Sequence, residues 1–248
     1  MDEHGNVVSN NSYQKPKKKI ISNDYSLAKV FGYMFIGLFI TTVVSFGLGA
    51  IFAYWLSIDP IVASDTLFIL MIVSSVLTII LSLIISFSLG KNSALRIAVP
   101  AVLYTICIGV MLSSFTIFIE WWLLASAFLI TSLIFGLMAL ISYFAKNMKG
   151  VLVVGLGLII GASMMSLFNL IMYLISPETY TSIYWIITLL LFAGMMFITM
   201  YDIWRIKTIA QSGAMSNNLA LYCAFTLYVD FIYIFLRILI ILIKIKDR

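Results

Sequence analysis

Apolar residues along this chain come in long unbroken runs. They show neither the alternation of a half-buried strand nor the one-sided stripe of a soluble helix. Seven runs follow an initial polar stretch, at 30–56, 66–88, 97–118, 121–144, 151–175, 183–203 and 219–243. Each is near the ~20 residues that carry a helix across a hydrocarbon core. Hydrocarbon offers backbone groups no water, so a spanning chain is either helical or a closed barrel. Continuous runs select helices. The links between runs are short and leave no room for a second domain. The pattern predicts an all-α polytopic membrane protein, with a disordered basic tail at 1–26 and a seven-helix transmembrane domain at 27–248.

Composition agrees. The chain is 63% hydrophobic and 10% charged over 248 residues. A soluble domain carries about 25% charged residues, and one core could not enclose this much apolar surface. The initial polar stretch also argues against a cleavable signal peptide. Cys107 and Cys223 fall inside apolar runs and read as small buried hydrophobes, not as a disulfide or a metal cluster. His4, the one histidine, lies in the polar tail with no role to assign.

Charge placement gives an orientation. Lys15, Lys17, Lys18, Lys19 and Lys29 crowd the N-terminal flank; Lys91 and Arg96 follow run two, Lys146 and Lys149 run four, Arg205 and Lys207 run six. Asp59, Asp65, Glu120 and Glu178 occupy the alternate connections, which have no Lys or Arg. The positive-inside rule then puts the N-terminus in the cytoplasm. The tail lysines fit a cytoplasmic flank or anionic lipid better than nucleic acid, since no folded basic domain presents them. One feature conflicts: seven crossings send Lys244, Lys246 and Arg248 to the outer side. A full crossing is favoured because the last run is unbroken by Pro or Gly, with a dip-and-return as the alternative.

Several local features have packing explanations. Gly157 and Gly161 stand at the spacing of close-packed transmembrane helices. Pro100 falls near a helix start. Trp121, Trp122, Tyr184 and Trp185 sit near the expected interfaces.

Two carboxylates do not fit an apolar bundle. Asp202 ends run six, and Asp230 sits within run seven in "LYVDFIYIF". A charged Asp at mid-bilayer costs about 2.5–3.5 kcal/mol on insertion scales, so each requires a partner. Asp202 could pair with Arg205, one turn on. Arg237 lies two turns past Asp230, about 10 Å along the helix, too far for direct pairing.

The stretch "YDIWRIK" followed by "LALYCAFTLYVDFIYIFLR" resembles the closing signature of the Bax inhibitor-1 family. "VFGYMFIGLFITTVVS" (30–45), "ASAFLITSLIFGLMALISYFAK" (125–146) and "SLFNLIM" (166–172) resemble its first, fourth and fifth helices. The resemblance implies a seven-helix bundle with the last helix central, wrapped by the other six. It implies that Asp202 and Asp230 form a pH-sensitive pair tied to a Ca²⁺ leak. Lys91 or Arg96 would supply a basic latch. Tyr201, Asn169 and Arg237 are candidate supports of the ion path, with snorkelling or contact to another helix the favoured reading of Arg237. The chain departs from the family pattern at Cys223, Tyr233 and Met148, none of which removes a carboxylate.

Physics supplies the mechanism expected. Two nearby carboxylates cannot both ionise cheaply in low dielectric, so they would share a proton and titrate together. The shared proton would bond helices six and seven. Its loss would leave two hard anions that repel and offer oxygens to Ca²⁺. Asp202 and Asp230 are therefore the candidate Ca²⁺ contacts, with Ca²⁺ and protons as transported or sensed ions and no cofactor. The expected setting is a bacterial cytoplasmic membrane. The alternative is a non-transporting regulator acting through membrane-protein partners. An intramembrane aspartyl protease is disfavoured because only Tyr201-Asp202 matches its paired motifs. No zinc, nucleophile-elbow or phosphate-loop motif is present.

Overall fold

The computed structural model describes residues 21–88, 94–175 and 180–246, with backbone alone for 21–25, 169, 171–175 and 180–184. Seven helices follow in order: α1 (Ile21–Ile58), α2 (Pro60–Ser88), α3 (Leu95–Phe118), α4 (Trp121–Phe144), α5 (Lys149–Ile175), α6 (Tyr180–Gln211) and α7 (Asn217–Lys246). Among the described residues there is no strand. Each helix contains a stretch long and apolar enough to cross a membrane.

Two helices run further than the apolar pattern predicts. α1 begins at Ile21, inside the stretch assigned to the tail, although its membrane-length portion starts at Ser26. α6 continues past residue 203 to Gln211. Hydropathy marks where lipid ends, not where backbone bonding ends, and Arg205 and Lys207 are good helix formers. The stop comes at Gly213, the one described residue with positive φ (73°), which turns the chain as glycine does past a helix end. Ser216 then starts α7, its Oγ accepting from the Leu219 N–H at 3.2 Å.

α7 is the most enclosed helix: half of its apolar window is buried, against a third or less for every other span. Its core residues Leu227, Tyr228, Ile234 and Leu239 have essentially no exposed surface. The expectation that all six other helices wrap it needs correction. α1, α3, α4 and α6 pack directly on α7, whereas α2 packs on α3 and α1, and α5 packs on α6. α2 and α5 thus form an outer layer.

The tightest outer contact is α5 on α6, and its glycines are not the ones expected. A Cβ on Gly157 or Gly161 would meet nothing within 4 Å. Gly155 and Gly194 make the close approach instead, each facing the other's carbonyl oxygen at 3.2 Å from where a Cβ would stand. The GxxxG spacing was real in the sequence, but its face points out of the bundle.

The side of the C-terminus is now settled relative to the other connections. Lys246 pairs with Glu120 of the α3–α4 connection at 2.6 Å. Lys244 lies over the Trp185 ring, 5.3 Å from its centroid, near the start of α6. α7 therefore crosses fully. At the opposite end, Lys29 of α1 donates to Asn217 Oδ1 at the start of α7, 2.7 Å away. The terminal lysines meet an acid and an aromatic face at their own end. Glu120 is held below the usual carboxylate range by its bond to Lys246, and then by the Trp122 indole N–H.

Candidate functional site

The short turn between α6 and α7 makes them antiparallel neighbours, and this fixes which residues stand level. At 1.5 Å per residue, Asp202 lies about 14 Å inside the end of α6 and Asp230 about 20 Å inside the start of α7. The residue of α6 level with Asp230 is Thr199, about 18 Å in, one turn beyond Asp202.

The side chains follow that ladder. Asp230 is buried, with 5% of its surface exposed, and its carboxyl stands beside the Thr199 side chain. Thr199 has no exposed surface, and its hydroxyl donates to the Met195 carbonyl at 2.9 Å. The second carboxyl oxygen of Asp230, Oδ2, is buried without a hydrogen-bond partner. Asp202 is half-buried. It interacts electrostatically with Asp230, and with Arg205 on its own helix. Cys223 of α7 feels both Asp202 and Arg205, so all three sit at the α6–α7 seam.

The two carboxylates thus share one electrostatic neighbourhood, with no hydrogen bond directly between them among the described residues. The direct bond expected from the sequence is displaced by the stagger of one turn. Thr199 takes the position opposite Asp230.

The other candidate residues fall into three groups. Lys91 lies outside the described residues, and only the backbone of Asn169 is described, on α5. Arg96 is exposed at the start of α3, and Arg237 is half-buried on α7; neither forms an ion pair among the described residues. Tyr201 is half-buried, its ring tilted against Trp204 with centroids 5.7 Å apart. Among the described residues the cation in electrostatic contact with Asp202 is Arg205, the local partner that the sequence offered.

Sequence reasoning also missed the second fastening of α7. The Tyr228 hydroxyl lies 2.6 Å from Thr41 Oγ1 of α1, and Thr41 donates to the Thr105 carbonyl of α3 at 3.0 Å. The one hydroxyl proton of Thr41 goes to that carbonyl, so Tyr228 is the donor to Thr41. Gly37 makes the space, since a Cβ there would stand 3.1 Å from the Tyr228 ring. Tyr228 and Asp230 are two residues apart, about 200° around the helix. One face of α7 is therefore pinned to α1 and α3, and the other meets α6 at the acid. Ser142 of α4 holds α6 from a further side, donating to the Met200 carbonyl at 2.8 Å, two residues before Asp202.

Chemically, the seam offers two carboxyl groups and a hydroxyl. That is well short of the six to eight oxygens of a resident Ca²⁺ site. Among the described residues no group of three or more His, Cys, Asp or Glu side chains is placed to hold a metal. The arrangement suits brief contact with a passing ion, or a change in helix packing on protonation.

Residues 24–248, nearly the whole chain, match the protein family described as Inhibitor of apoptosis-promoting Bax1. No curated protein and no solved structure matches significantly.

Proposed function

The chain belongs to the Bax inhibitor-1 family, and from that premise we propose that it is a pH-sensitive leak for Ca²⁺ or related cations, gated by Asp202 and Asp230. The observation that carries this reading is Asp230 itself. A buried acid with an unpartnered oxygen, facing α6 and in electrostatic contact with a second acid, has little structural purpose in an apolar helix. Ionisable side chains inside a bilayer mark ion or proton paths.

The gate works through the α6–α7 seam. A proton on the pair lowers the repulsion between the carboxyls and lets a neutral Asp230 rest against Thr199. Removing it leaves like charges one helical turn apart, with Arg205 in electrostatic contact with Asp202. The pair titrates as a unit, and its occupancy biases α6 against an α7 held fixed by Tyr228. When the seam opens, the same oxygens attract a hard cation along the path. The N-terminal end, where Lys29, Lys146, Lys149, Arg205 and Lys207 gather, is the cytoplasmic side on this reading. The membrane is the cell's cytoplasmic membrane.

Flux by the protein alone tests the reading. Purified protein in sealed liposomes, with a Ca²⁺ dye inside, should pass Ca²⁺ at a rate that changes with pH. A protein that acts only through membrane-protein partners would show no flux above empty liposomes at any pH.

A further inference from the structure

Lys207 lies on α6 near the end where the basic residues gather, and its surroundings do not supply an anion. Its ammonium donates to the Tyr143 carbonyl of α4 and sits 5.1 Å from the centroid of the Tyr143 ring. No acidic side chain pairs with it among the described residues. An ammonium has three donors, and a carbonyl with a ring face leaves capacity for one more strong acceptor. Lys207 is only half-exposed. Arg205, Lys146 and Lys149, exposed at the same end, add to a positive field with Asp202 already engaged at the seam.

Below the ammonium runs a cleft of about 300 Å³ between α1, α4 and α6. Its walls are Leu27, Phe31, Leu140 and Ile203, with Gly136 at its inner end. Gly136 leaves open space where any other residue would place a Cβ. Leu27 and Tyr143 stand near helix ends, and Gly136 lies about 10 Å deeper along α4. The cleft thus begins at headgroup depth, under a cation, and descends into the hydrocarbon layer. Basic pockets between transmembrane helices at this depth take lipid phosphates.

We propose that this cleft seats one anionic phospholipid, its phosphate on Lys207 and an acyl chain running down between α1, α4 and α6 toward Gly136. The lipid completes the donors of Lys207 and fills a slot that water cannot enter favourably. It also braces α6 within two turns of Asp202, so its occupancy would hold the helix that carries half of the acid pair. The binding itself stands whether or not the protein conducts ions.

The test is native mass spectrometry of the detergent-purified protein with added dioleoyl phosphatidylglycerol or dioleoyl phosphatidylcholine. Wild type should retain one phosphatidylglycerol in preference to phosphatidylcholine. Lys207→Gln should lower that preference about fivefold, the worth of one basic group near an anionic surface. Gly136→Leu, which blocks the slot without touching charge, should lower retention of the lipid. Lys207→Arg and the exposed Lys146→Gln should both keep the preference, which shows that the loss is neither misfolding nor general charge. Inorganic phosphate should not displace the bound lipid. Wild-type preference in Lys207→Gln or wild-type retention in Gly136→Leu would overturn the site, as would displacement by phosphate alone.

Discussion

Gly194→Ala tests how α6 is held, because the cost can be worked from the packing. The added Cβ would stand 2.8 Å from Ile159 Cγ1, 3.2 Å from the Gly155 carbonyl oxygen and 3.3 Å from the Ile159 nitrogen. Two of these are backbone atoms of α5, and the third is the stem of a β-branched side chain with little rotamer freedom. Relief therefore requires the helices to move apart. Inserting a methyl into a packed interface costs about 1–3 kcal/mol. Alanine also gains about 1 kcal/mol of helix propensity over glycine. The Gly157→Ala variant isolates the steric part. It carries the same propensity gain, and its Cβ meets nothing within 4 Å. The two melting temperatures should differ by the overpacking alone, about 2–4 °C per kcal/mol for a chain of this size. Cys107 and Cys223 are buried and free, so a thiol-reactive fluorophore reports unfolding in detergent directly. Gly194→Ala should melt clearly below Gly157→Ala. If the two melt together, or in the reverse order, the α5–α6 contact described above is wrong.

Three further outcomes follow from named contacts. Tyr228→Phe keeps the Thr41 bond to Thr105 but loses the one to Thr41, and should cost about 0.6–1.5 kcal/mol. A double-mutant cycle with Thr41→Val should show coupling of that order, and strict additivity would remove the bond from the account. Glu120 has its titration lowered in the folded state, so its tie to Lys246 contributes above the ordinary carboxylate range and is lost as pH falls through the lowered value. The C-terminal end should therefore stay protected from carboxypeptidase at neutral pH and become susceptible in acid; Glu120→Gln should be susceptible throughout. Single cysteines at Lys246 and Ser64 should label from one side of a sealed vesicle and one at Ser216 from the other. A shared side for Lys246 and Ser216 would contradict the full crossing.

The seven crossings were legible because each apolar run reports one physical quantity, the thickness of hydrocarbon. Helix ends were not, since Arg205 and Lys207 continue α6 beyond that thickness at no cost. The buried acid was legible from the insertion cost of one residue, Asp230. Its neighbour was not. A stagger of one turn between antiparallel helices decides whether Thr199 or Asp202 faces it, and that stagger is set by the turn at Gly213. Thr199 does carry a faint signal, as a hydroxyl one turn before Asp202 in an otherwise apolar stretch. The Tyr228–Thr41 bond has none, because it joins residues far apart in the chain. The glycine faces failed for a related reason: spacing shows which glycines share a face, and only packing shows what the face meets.

The measurement closest to the central claim is the pH profile of Ca²⁺ flux in proteoliposomes for wild type, Asp202→Asn, Asp230→Asn and the double variant. If the two acids act as one titrating unit, each single substitution should flatten the profile and the double should add nothing further. An Asp230→Asn protein that conducts with the wild-type rate and pH response would show that the buried acid of α7 is not the gate.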